Sequence, residues 1–292
     1  MHAFLKAIGI RHLHTKKELD QMITEAVQNP TDKVIKPLGD DSYFVQAYRE
    51  MGAGFGVSVV GECDSKGVFS MDYYFPYIIG DIASKEENVQ AEGHAAHESY
   101  AGVCEDPNVG VAVIYYLNNP AMCKDYCEKR KNYQLPNEVY FSGLSNHGKV
   151  LLDVRKEQEV PQRISDNKSE RNKMIMAAKA GDQQAIESLT MQDMDTYTMI
   201  NRRIKSEDIY SIVDTYFMPY GIESDQYSIL GTILDVETVQ NHMTGEQLYR
   251  ITVECNQLMM PILIHKDDLY GEPQIGRRLK AAIWLQGRFQ LQ

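Results

Sequence analysis

A chain of 292 residues with 43% apolar and 24% charged side chains is long enough for two compact units and a sizeable core, which excludes a disordered or fibrous protein. The 41 Asp and Glu outnumber the 30 Lys and Arg, and the net charge of −11 opposes binding to phosphate backbones and anionic membranes. Nucleic acid and membrane are therefore not the expected partners.

The opening Met1 to Ile10 is broken by Lys6 and is followed by no small-residue cleavage site, so neither a signal peptide nor a membrane span is expected there. The five cysteines (Cys63, Cys104, Cys123, Cys127 and Cys255) are odd in number and irregularly spaced. They read as free thiols of a reducing cytoplasm.

Thr15-Lys16-Lys17-Glu18 is a capping box, and Leu19, Met22, Ile23, Ala26 and Val27 behind it recur at helical spacing until Asn29-Pro30. Strands are expected at Tyr43 to Tyr48, Phe55 to Glu62 and Val68 to Tyr77, the last two forming a hairpin across Cys63 to Gly67. Ser84-Lys85-Glu86-Glu87 is a second capping box, which predicts a helix to about Tyr100 with Val89, Gly93, Ala96 and Tyr100 on its inner face. Val109 to Tyr116 reads as a buried strand, and Asn119-Pro120 opens a helix to about Lys131. Val139 to Ser142 and Lys149 to Val154 flank Ser145-Asn146-His147-Gly148, the pattern of a further hairpin.

Arg155 to Lys173 is polar and holds Pro161, a linker composition. Helices are expected over Arg171 to Ala180, from an Asp182 cap to Leu189, over Thr190 to Ile204, and from Ser206 to Pro219. In the last, Ile209, Ile212, Val213, Tyr216 and Phe217 form a stripe. Strand candidates then follow at Tyr227 to Val236, Leu248 to Asn256, Pro261 to His265 and Leu279 to Gln286. The expected fold is thus α+β, in three parts. These are a mostly antiparallel sheet with helices (1–155), a linker and central helical block (156–225), and a small β-barrel of the OB or SH3-like kind (226–292).

MHAFLKAIGI, YYFPY (Tyr73 to Tyr77), HESYAGVCEDPNVGV (His97 to Val111) and AIESLTMQDMDTYTMINRRI (Ala185 to Ile204) are specific segments. So are DIYSIVDTYFMPYGIESDQYSILG (Asp208 to Gly231) and GEPQIGRRLKAAIWLQG (Gly271 to Gly287). With them the chain resembles the domain of unknown function 3881 family of anaerobic Gram-positive clostridia. The resemblance spans essentially the whole sequence. It implies a bacterial cytoplasmic protein and carries no catalytic residue or cofactor with it.

His94, His97 and Glu98 share a face if they lie on a helix, and with Asp72 and Tyr73 they form the candidate polar site. The order matches neither HExxH nor HxxEH, and although Cys123 and Cys127 at i, i+4 spacing could complete a zinc site, no metal and no cofactor is expected. A solvated polar face is the plainer reading. Tyr73, Tyr74, Phe75 and Tyr77 could line a pocket or simply pack. Asp193, Asp195, Asp214, Glu223 and Asp225 are too scattered for a cation site and read as solvated faces or turn caps. Gly52-Ala53-Gly54-Phe55-Gly56 lies between strands and reads as a turn or bulge. Arg277, Arg278, Lys280 and Arg288 form a candidate basic patch, with Trp284, Tyr249, Tyr270 and Phe289 as possible stacking groups.

With no nucleophile–base signature, the expected function is a non-enzymatic protein that binds a protein or small molecule. The alternatives are a hydrolase-like enzyme with a His/Glu/Tyr site around residues 72–100, and single-strand nucleic-acid binding by the C-terminal barrel.

Overall fold

The computed structural model describes residues 2–13, 15–39, 41–85, 87–93, 100–105, 112–123, 138–152, 214–222 and 225–290, with isolated positions between 174 and 188. The chain divides into two units, one of Met1–Leu151 with Tyr216–Gln292 and one of Leu152–Thr215. In the second, the described positions from 174 to 188 are helical apart from Asp182, whose carboxylate accepts from the Gln184 and Ala185 amides at 2.9 and 3.2 Å. That is the cap its sequence predicts.

The first unit opens with a 3-10 turn (Ala3–Ile8) that buries Phe4, Leu5, Ala7 and Ile8. Helix α1 (Lys16–Gln28) starts on the expected capping box: Glu18 N donates to Thr15 Oγ1 at 3.3 Å and Thr15 N donates to the Glu18 carboxylate at 3.0 Å. Four antiparallel strands follow: β1 (Asp32–Gly39), β2 (Ser42–Gly52), β3 (Phe55–Cys63) and β4 (Phe69–Ile78). The β2–β3 turn runs through Gly54 (φ 73°) and the β3–β4 turn through Gly67 (φ 81°), where Asp64 caps the Lys66 and Val68 amides. Strand β1 was not foreseen. Its Lys33, Lys36 and Pro37 mask the pattern, and they suit a sheet edge.

The molecule is mostly β, which overturns the α+β expectation. Where a helix was expected from Ser84 to Tyr100, the chain forms strands β5 (Ala83–Lys85) and β6 (Glu87–Gly93), and β7 (Tyr100–Glu105) follows. The capping box is a local signal of about 1 kcal/mol. Pairing of β6 with β7, and of β7 with β8 (Ala112–Leu117), buries Val89, Cys104 and Val113 and outweighs it. A helical turn begins at Pro120 and is described to Cys123.

The hairpin expected around Ser145 to Gly148 is instead one long strand, β9 (Glu138–Leu151). Ala282 pairs with His147 and Ile283 with Ser145, so Asn146 is a bulge residue and not the tip of a turn. The central helical block is not shown. Its expected last helix ends as strand β10 (Tyr216–Pro219), and residues 153–173, 189–213 and most of 174–188 lie outside the described residues.

The remaining strands are β11 (Gln226–Gln240), β12 (Gln247–Cys255), β13 (Leu258–His265), β14 (Leu269–Tyr270) and β15 (Arg278–Phe289). A closed five-stranded barrel runs β11–β12–β13–β9–β15 and back to β11, with β13 and β9 parallel. A β-barrel is present, with four staves between residues 226 and 289 and one from residues 138–151. Ile233, Ile251, Ile262, Ile264, Leu279 and Ile283 fill the core associated with it. Leu144, Leu248, Leu263 and Trp284 belong to a second core with Phe4, Leu5, Ile8 and Phe55, so the N-terminal turn and the four-stranded sheet cover part of the barrel wall.

Candidate functional site

On β15, Trp284, Gln286 and Arg288 lie opposite Leu144, Ser142 and Tyr140 of β9 in three successive cross-strand rows. The end of β4 crosses the Gln286–Ser142 row and is fastened to it. Gln286 Nε2 donates to Pro76 O at 2.8 Å, Ile78 N donates to Gln286 Oε1 at 3.1 Å, and Ser142 Oγ donates to Ile78 O at 2.9 Å. One row further on, Gly80 passes so close to β9 that a Cβ would sit 2.3 Å from Phe141 O. Among the described residues the cover ends there. A half-open recess of about 250 Å³ is lined by Ile79, Gly80, Met122, Tyr140, Arg288, Phe289 and Gln290.

The frame of the recess is pinned by buried amides. Asn119 clasps Phe289 from both sides, donating to its carbonyl at 2.7 Å and accepting from its amide at 3.3 Å. Gln46 Nε2 donates to Ser58 Oγ and to Asn118 O at 3.0 and 2.9 Å, and its Oε1 accepts from Ala121 N at 3.2 Å. Tyr48 OH also donates to Asn118 O, and the Asn118 Nδ2 donates to Ile78 O. Burial pushes the Tyr48 and Tyr77 phenols well up, with the nearby Arg288 guanidinium pulling the other way, so both stay neutral. The side chains of Arg288, Tyr140 and Gln290 make no hydrogen bond or ion pair among the described residues. A partly buried guanidinium with no counter-charge among the described residues, on a fixed strand end, can accept an anion.

A second polar cluster is closed on itself. His265 is 3% exposed; Asp267 N donates to its Nδ1 at 3.1 Å, Arg11 Nη1 lies 2.7 Å from the same atom, and Nε2 faces Glu246 Oε2 at 3.0 Å. Donors at Nδ1 place the ring proton on Nε2, where it donates to Glu246. The His265 hydrogen bond holds the Glu246 carboxyl below its usual range. Arg11 also pairs with Asp267 and Asp268 at 3.1 and 3.3 Å, and His12 lies 3.3 Å from Glu246. The cluster fastens the segment before α1 to the barrel.

Of the residues singled out in the sequence, His94, His97, Glu98, Cys127, Asp193, Asp195 and Glu223 lie outside the described residues. Asp72 is exposed at a β4 bulge, and Tyr73 stacks on Phe75 with ring centres 6.1 Å apart. The four basic residues do not form one stripe. Arg277 donates to Glu272 O at 3.2 Å, Arg278 is buried, and Lys280 and Arg288 on one face of β15 are separated by Ala282 and the buried Trp284 and Gln286.

Trp284 packs on Phe4 and His2, and its Nε1 donates to Asp225 at 2.7 Å, so it offers no free platform for a base. Cys123 is buried, and among the described residues no group of three or more His, Cys, Asp or Glu is placed to hold a metal ion. The recess itself was half visible in the sequence, as Arg288 alone; the residues that frame it are spread from Gln46 to Gln290.

Among the described residues no helix is long and apolar enough to cross a membrane. Comparison with curated proteins and with solved structures gives no match. A family model described as a domain of unknown function from E. rectale matches residues 5–287. The chain therefore belongs to the domain of unknown function 3881 family.

Proposed function

We propose that the chain is a cytoplasmic, non-enzymatic binding protein whose ligand seats in the recess around Arg288. The observation that carries this reading is the contrast between that arginine and its surroundings. Gln46, Ser58, Asn119, Ser142 and Gln286 are wholly buried and hydrogen-bonded, whereas the Arg288 side chain, in the same neighbourhood, has no hydrogen-bond or ion-pair partner among the described residues. Acids outnumber bases in the chain, so a partly buried base without such a partner is not a default outcome. The cytoplasmic placement draws on the cysteines: Cys63, Cys104, Cys123 and Cys255 are free thiols, and burial pushes the Cys255 thiol up to about 12.

A ligand-observed fragment screen, followed on protein carrying ¹³C-methyl methionine, tests the reading. Saturable shifts of the Met122 methyl are expected from several fragments that compete with one another. If no fragment moves that signal, or if a fragment is converted to product, the reading falls.

A further inference from the structure

We infer that the Arg288 recess takes an organic monocarboxylate with a small apolar body. The inference rests on the binding reading above and adds the chemical class of the ligand. The polar groups of its lining lie together: Arg288 and Tyr140 are direct cross-strand neighbours on β15 and β9, and Gln290 follows two residues later. A guanidinium offers two parallel N–H bonds that match the two oxygens of a planar carboxylate, and a phenol can add a third. Ile79 and Met122 give the rest of the lining an apolar character suited to a hydrocarbon body. A space of about 250 Å³ matches the size of a small organic acid.

The charge arithmetic favours one negative charge over two. Among the described residues the lining holds a single cation, and the chain carries a net charge of −11. A phosphate dianion would bring a second charge with no cationic partner among the described lining residues, and the apolar side chains would leave its remaining oxygens short of donors. Arg288 is also free to act without dismantling the fold, since among the described residues its side chain makes no hydrogen bond or ion pair.

The test titrates ¹³C-methyl methionine protein with benzoate, benzamide and inorganic phosphate, in the wild type and in Arg288→Gln and Arg288→Lys. Benzoate is expected to shift Met122 saturably, with benzamide and phosphate about tenfold weaker or worse. Arg288→Gln should weaken benzoate by about tenfold or more at unchanged Tm, with Arg288→Lys in between because a single ammonium keeps the charge and loses the fork. Equal binding of benzamide, or of benzoate by Arg288→Gln, overturns the carboxylate assignment while Met122 shifts would leave the binding reading standing. Tighter binding of phosphate than of benzoate overturns it in favour of a phosphate ligand. A steep fall in Tm on Arg288→Gln would show the guanidinium already engaged in the free protein, which also overturns it. If none of the three probes moves Met122 the carboxylate assignment falls, and the fragment screen separately decides whether the recess binds anything.

Discussion

His2 packs its ring 4.7 Å from that of Trp284 and 6.2 Å from that of Phe4, and its Nδ1 accepts from the Phe4 amide. Burial lowers its pKa from 6.5 to about 4. Between those values the unfolded chain binds a proton that the folded chain refuses, so the contribution of His2 to stability is complete above pH 6.5 and is lost as the pH falls toward 4. The loss amounts to on the order of 3 kcal/mol. His2→Phe keeps the stacking and removes the proton, and urea midpoints measured across this window should fall less steeply than in the wild type; parallel curves would refute the assignment. Nothing in MHAFLKAIGI announces this role, because the residues that bury His2 arrive with Tyr74 and Trp284. Single residues were legible only where their partners are near in sequence. Thr15 with Glu18 and Asp182 with Gln184 were readable as caps, whereas Gln46, Asn119 and His265 owe their importance to partners 12 to 254 residues away.

Strands with plain alternation or apolar runs were recognised: β2, β3, β4, β11, β12, β13 and β15 all fall where they were expected. Two of the failures share a cause. Ser84 to Glu87 and Ser145 to Gly148 carry strong local chemistry, a cap and a turn, and in both places sheet pairing overrides it. In β9 the turn-like residues serve the bulge: Ser145 Oγ donates to His147 O and Ala282 O, both at 2.9 Å, and Asn146 Nδ2 donates to Ala3 O at 3.1 Å. Because the bulge absorbs the extra residue, β9 keeps its register with β15 on both sides of it. Deleting Asn146 leaves Lys149 and Val150 opposite Lys280 and Leu279 and removes the bulge together with the Asn146–Ala3 bond, at a cost of about 1 kcal/mol. Thermal melts of the deletion variant should show a modest drop in Tm with cooperativity kept. Loss of the cooperative transition would refute this account of the bulge.

The division into a sheet domain and a separate C-terminal barrel is the expectation that a linear reading invites, since strand candidates cluster at the two ends of the chain. Pairing across the gap was not legible, because period and turn chemistry say which segments are strands but not which strands meet. Here β13 and β15 both lie against β9, so a fragment of residues 226–292 would leave each with an unpaired edge and would open the apolar interior to water. Such a fragment is expected to be unfolded or aggregated by circular dichroism and sedimentation, and joining residues 138–151 to it through a flexible linker should restore cooperative melting. A fragment of 226–292 that melts cooperatively alone would refute the dependence.

The provenance of β9 also sets a timetable for biosynthesis. This strand leaves the ribosome well ahead of both neighbours, and at ~5–20 residues per second about a hundred further residues take roughly 5 to 20 s to emerge. For that interval Val139 and Phe141 have no barrel core to enter, and a nascent chain stalled before residue 258 presents a sticky stave without β13 or β15 beside it. Translation speed through the middle of the message, and the holdases that wait beside it, are thus tied to the yield of folded protein.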